Sequence, residues 1–126
     1  MKYIAIAVGG MAGALLRYGV SGFTYKFVNG MFPWGTLAVN LSGCFVMGLL
    51  WAASERVVLP ASFKPFVFVG ILGAFTTFST FALETFQLLR DREIKIALLN
   101  ILASNVLGII MLFAGFLLAG VLLRKG

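Results

Sequence analysis

Residues 70–84 read GILGAFTTFSTFALE. The stretch lies inside a long apolar run, yet it carries Gly70, Gly73, Thr76, Thr77, Ser79, Thr80 and Glu84. Phe75, Phe78 and Phe81 recur at every third position through it. Filling a bilayer requires none of this mixture. Polar groups and non-helical backbone survive at membrane depth only where they are buried in protein or face a cavity. The stretch therefore reads as the lining of a site, with a helix break expected between Gly73 and Ser79. Gly73 permits unusual dihedrals there, and the dense Thr and Phe lower helix propensity. An unwound turn would expose carbonyls suited to a cation and helix N-termini suited to an anion.

The rest of the chain sets that stretch in a membrane. Of 126 residues, 61% are hydrophobic and 11% charged, against about a quarter charged in a soluble domain. Spans of about 20 residues allow at most four crossings and a single domain over 1–126. The formal charge of +6 is spread singly over the ends of apolar runs. That is the interfacial, snorkelling pattern of Lys and Arg rather than a nucleic-acid stripe. The chain has no His and a single cysteine, Cys44. With no paired carboxylate and no metal-ligand cluster either, enzyme chemistry fits poorly. The N-terminal MKYIAIAVGGMAGALL resembles a signal peptide superficially, but no soluble protein follows it, and it reads as the first span.

That span is expected from about Tyr3 to Ser21, with Gly9, Gly10 and Gly13 for close helix contact. Arg17 either snorkels from its far end or faces inward to a buried acceptor. Residues 22–32 form a connection with an Asn29-Gly30 turn. Pro33 opens the second span, Trp34 anchors it at the interface, and it runs to about Ala53. Its Asn40 needs polar partners. The third span, from about Pro65 to Leu89, places Thr77, Thr80 and Glu84 on one polar strip, with Phe78 and Phe81 on an adjoining one. Residues 90–93 make a tight loop. The fourth span, from about Ile94 to Leu123, puts Asn100, Ser104 and Gly108 on one face.

An even number of spans leaves both termini on one side. Lys2, Arg56, Lys64, Arg124 and Lys125 gather there, against Lys26, Arg90, Arg92 and Lys95 on the other side. So small a bias gives little orientation preference, which favours dual topology and an antiparallel homodimer. Within the spans Glu84 is the only carboxylate and Arg17 the only deep cation. Asn40, Thr77, Ser79, Thr80, Asn100 and Ser104 either hydrogen-bond helices together or offer donors to a small anion that must shed its water. Phe78 and Phe81 either pack or turn electropositive ring edges toward the ion path.

GALLRY at Gly13 to Tyr18, PWGTLAVNLSG at Pro33 to Gly43 and GAFTTFSTFALET at Gly73 to Thr85 resemble the microbial fluoride channels of the Fluc (CrcB) family, across nearly the whole chain. The resemblance implies an all-α membrane protein with four transmembrane helices, the third broken, forming a dual-topology antiparallel homodimer. It implies a passive fluoride channel in a prokaryotic inner membrane, with a structural sodium ion at the dimer centre and no nucleic-acid partner. By position, Asn40 matches the pore asparagine, and Phe78 and Phe81 match the pore phenylalanines. Ser79, Thr80 and Glu84 match the polar side of the third span, and Arg17 matches the first-span arginine, with an electrostatic or structural role. Gly73 and Thr76 match the break residues whose carbonyls hold sodium. Asn40 is expected to complete the pore wall from the opposite subunit. In the fourth span Ser104 matches, while Asn100 and Gly108 stand where the family often has tyrosine and serine. Those two lost hydroxyls bear on conductance, while the phenylalanine and asparagine core is expected to keep fluoride selectivity. The rivals are a small multidrug-resistance-type transporter, which depends on a first-span glutamate that this chain lacks, and an accessory subunit without transport of its own.

Overall fold

The computed structural model describes residues 1–124; Lys125, counted above among the tail charges, lies outside them. Among the described residues the secondary structure is entirely helical. Four segments are long and apolar enough to cross a membrane: Lys2–Phe27, Trp34–Ser54, Pro65–Arg90 and Ile94–Arg124. We label them α1 (Lys2–Phe27), α2 (Trp34–Ser54), α3 (65–75) with α4 (Phe78–Arg90), and α5 (Ile94–Arg124). The chain is a multi-pass membrane protein.

α1 is longer than the sequence suggests. It does not stop near Ser21 but continues through Phe27. Thr24 Oγ1 bonds back to the Val20 carbonyl at 2.8 Å, and the Tyr25 ring packs against Gly35 of α2. The connection therefore shrinks to residues 28–33, and its turn falls at Gly30, whose φ is 137°. α4 ends in a tight reversal. Arg92 takes a left-handed φ of 62°, and Glu93 and Arg92 N–H groups bond the Leu88 and Leu89 carbonyls at 2.8 and 3.1 Å. This satisfies carbonyls that the helix end would otherwise leave open.

Lipid supplies no hydrophobic drive between helices, so close backbone approach has to hold them. A side chain on Gly13 would strike the Ile71 carbonyl, and one on Gly9 the Phe66 carbonyl, where α1 meets α3. α2 meets the second half of α5 in the same way, Gly48 against Leu112 and Gly115 against Phe45. Gly10, grouped with these in the sequence, faces open space. Val67, Phe68 and Leu72 make the apolar core under α2, flanked by Met47 and Leu50. Most other large apolar side chains face outward, as lipid contact requires.

Two spans depart from regular α-helix. α3 begins as a wide, π-type helix over Pro65–Leu72 and tightens over Gly73–Phe75. The chain then goes extended at Thr76 (φ −75°, ψ 154°) and Thr77 (φ −146°, ψ 113°) before α4 starts. The expected break is present, but Gly73 is not its pivot: Gly73 is helical at φ −64°, ψ −35°. Two β-branched threonines, at home in extended backbone, carry it. α5 has a second wide-turn segment, Ala103–Leu107, through which the helix stays continuous.

Candidate functional site

The site is built on the break. In an unbroken helix the N–H groups of Thr77 and Thr80 would bond the Gly73 and Thr76 carbonyls. Instead Thr77 N–H donates to Asn40 Oδ1 at 2.8 Å, and Thr80 N–H donates to Thr77 Oγ1 at 3.2 Å. Thr77 is thus the N-cap of α4 as well as part of the break, a contribution of about 1 kcal/mol. Asn40 closes the arrangement by donating from Nδ2 to the Thr77 carbonyl at 3.1 Å. One amide on α2 therefore serves both backbone groups of one residue. The same rearrangement withdraws the helical donors from the Gly73 and Thr76 carbonyls. Such freed oxygens are the donor type a hard monovalent cation takes from an unwound helix, so the residues fit the sodium ion that the resemblance implies.

Beside the break lies a cavity of about 300 Å³ whose lining includes Asn40, Phe78, Phe81, Ser104, Thr76 and Thr77, together with Cys44 and Met47. Six of the sequence candidates, Asn40, Thr76, Thr77, Phe78, Phe81 and Ser104, meet here. The two rings lie 5.5 Å apart at 49°. They differ sharply in setting, since Phe78 is 76% exposed and Phe81 is 8% exposed. Asn40 reaches this cavity within its own protomer, with its amide bonded to its own break. An amide has two N–H donors, and the bond to Thr77 occupies only one.

The remaining candidates spread along the polar side of α4. Thr80 accepts from Thr77 Oγ1 at 2.9 Å, and Ser79 Oγ lies 3.4 Å from the same hydroxyl. Arg17, Ser21, Thr36, Thr77 and Thr80 line a second cavity of about 330 Å³ between α1, α2 and α4. Arg17 faces inward there; among the described residues the only ion pair is Arg90–Asp91. Its neighbours in that cavity are hydroxyls rather than an acid. Glu84 lines a third cavity with Tyr25 and Asp91. Its Oε1 accepts from Thr36 Oγ1 at 2.7 Å, and its buried Oε2 has no hydrogen-bond partner.

Asn100 does not line the main cavity. It is 1% exposed and links α5 to α4. Ser104 Oγ donates to Asn100 Oδ1 at 3.2 Å, and Asn100 Nδ2 to Thr85 Oγ1 at 3.0 Å. Thr85 Oγ1 in turn donates to the Phe81 carbonyl at 2.8 Å. The chain of bonds starts on the cavity wall and ends on the backbone of Phe81, so Asn100 positions that ring's helix. Gly108 lies one turn beyond Ser104, close to Cys44.

A family model described as CrcB-like protein, Camphor Resistance (CrcB), matches residues 4–116. The chain belongs to the CrcB family. This CrcB chain is 47% identical over 116 residues to a protein of Magnetococcus marinus, covering 91% of this chain and 94% of that one. It is 43% identical over 118 residues to one of Parabacteroides distasonis, covering 94% and 92%. A protein of Nitrosococcus oceani is 42% identical over 122 residues, covering 96% and 98%. All three relatives are named fluoride-specific ion channel FluC.

Reading single residues missed part of the site of this CrcB chain. Cys44 and Met47 follow Asn40 at helical spacing, so the face already held the signal. Thr36, one turn before Asn40, faces Glu84, but nothing local marks that pairing. The capping role of Thr77 was readable from its place before Ser79 and Thr80, in a helix-start pattern.

Proposed function

We propose that this protein is a passive fluoride-selective channel of a prokaryotic inner membrane, working as an antiparallel homodimer that confers fluoride resistance. The observation that carries the reading is the cavity where Asn40, Ser104 and the Phe78–Phe81 pair meet beside the helix break. The names of the relatives support it. Fluoride is small and strongly hydrated, so a path must replace water with donors that do not trap the ion. The second Asn40 N–H is one such donor, and the ring edges of Phe78 and Phe81 carry the partial positive charge that suits an anion. The hydroxyls of Ser79 and Thr80, with Glu84 beyond them, continue the polar side of α4. Arg17, facing hydroxyls, adds positive potential beside the path. Fluoride that enters as HF and dissociates in the cytoplasm then leaves down its gradient.

The exposure of Phe78 and the outward apolar surface suit a second copy. The freed Gly73 and Thr76 carbonyls of two such copies would hold a sodium ion, which would tie the breaks together at the centre. The test is reconstitution in liposomes with fluoride efflux followed and chloride as control. Selective fluoride flux is expected. Absent flux, or chloride flux of the same size, refutes the reading, and efflux of a cationic dye would point to the multidrug-type rival. Crosslinking of inverted pairs tests the antiparallel dimer.

A further inference from the structure

Away from the break, the C-terminal ends of α2 and α5 enclose a cavity of about 490 Å³ lined by Arg56, Phe116, Leu117, Gly120, Val121 and Arg124. Its wall is apolar apart from the two guanidiniums. Among its described lining residues there is no carboxylate, and among the described residues neither arginine is in an ion pair. Glu55, the adjacent acid, is turned to Trp51, whose Nε1 it accepts at 3.0 Å. Gly120 faces open space beside the Arg56 side chain. A methyl group there would meet Arg56 Nη2 at 3.9 Å and nothing else within 4 Å. The same end of α2 carries Trp51 with Lys64 Nζ 5.5 Å from its ring, an aromatic and cationic pair of the kind found at the membrane–water interface.

We propose that this corner is a binding site for an anionic glycerophospholipid. Arg56 and Arg124 hold the phosphate and the second negative or polyol portion of the headgroup, and Phe116, Leu117 and Val121 bear one acyl chain. Guanidinium forks suit phosphate oxygens, and two cations in no ion pair among the described residues, with Glu55 turned away to Trp51, favour a headgroup of net negative charge over a zwitterionic one. The groove runs down from the charges along the face of α5 that lipid already wets, so headgroup and chain are contacted together. The site is separate from the break and its cavities.

The test is native mass spectrometry of the purified full-length protein in detergent with equal amounts of phosphatidylglycerol and phosphatidylcholine of identical chains. Wild-type protein is expected to retain phosphatidylglycerol in roughly thirtyfold preference, the scale set by two basic residues near an anionic surface. The Arg56→Gln/Arg124→Gln variant is expected to lose that preference, while Lys26→Gln/Lys95→Gln, at the other end, keeps it. Gly120→Leu leaves both charges and fills the groove, so it is expected to weaken retention as well, and it serves if the double variant does not fold. Equal retention of the two lipids by wild type overturns the proposal, as does an unchanged preference in the arginine variant. Retention unaffected by Gly120→Leu, or displacement by millimolar inorganic phosphate, would mark a plain anion contact and also overturn it.

Discussion

The break between α3 and α4 and the wide turn within α5 are two answers to irregular backbone at membrane depth. At the break the chain is extended for two residues, Thr76 and Thr77, and the displaced backbone groups find a partner on another helix, the Asn40 amide. In α5 the helix loosens over Ala103–Leu107 but never opens. Its polar side chain Asn105 bonds back to the Ile101 carbonyl at 2.8 Å, within the same helix. The first arrangement depends on tertiary structure and creates a cavity. The second is local and leaves the helix a wall. Unpaired groups in lipid cost several kcal/mol each, so a true break persists only where another element supplies the missing partners.

Asn40→Ala attacks that contrast hardest. It strips Thr77 N–H of its acceptor and the Thr77 carbonyl of a donor, and about 2–4 kcal/mol of stability should go with them. Thermal unfolding in detergent, read beside fluoride flux, should show both falling, and a variant that melts like wild type would show that the break stands without α2. Next come the rings. Phe78→Ile is expected to cut fluoride flux by about tenfold or more, a barrier change of about 1.4 kcal/mol, with a smaller loss of stability than at Phe81, since within the chain its ring is exposed. Phe81→Ile should lower flux and stability together, since its ring is buried. Near-normal flux in both would remove the ring edges from the path.

Asn100→Ala sharpens the comparison from the side of α5. It breaks the relay from Ser104 to Thr85 and leaves buried hydroxyls short of partners, for a loss of about 1–3 kcal/mol. A smaller change in flux than in Phe81→Ile would fit its place behind the ring. Asn105→Ala removes only a bond within its own helix, so stability should move by less than about 0.5 kcal/mol. A large destabilisation would mean that the wide turn, like the break, leans on another element.

Much of the fold was legible because hydropathy and turn chemistry are properties of neighbouring residues. Pro33 and Trp34 mark the start of α2, Gly30 its preceding turn, and residues 90–93 the reversal after α4. The end of α1 was misplaced because Gly22, Thr24 and Lys26 look like a loop; Tyr25 packing on Gly35 keeps that turn helical. Of the site, the polar strip and the two rings were visible as spacing on α4. The inward aim of Arg17, the Thr36–Glu84 bond and the buried position of Asn100 were not, because each depends on which helix face arrives opposite.

The sequence alone determined the membrane class, the four apolar spans, the CrcB motifs and the neighbourhood of the break. Only the tertiary structure decided that Thr76 and Thr77, not Gly73, carry the break, that Asn40 satisfies it from within the same protomer, and that Asn100 stands behind Phe81 rather than in the cavity. The physical reason is that the need of a polar group for a partner is written in its own chemistry, while the identity of that partner is fixed only when helices distant in the chain pack together.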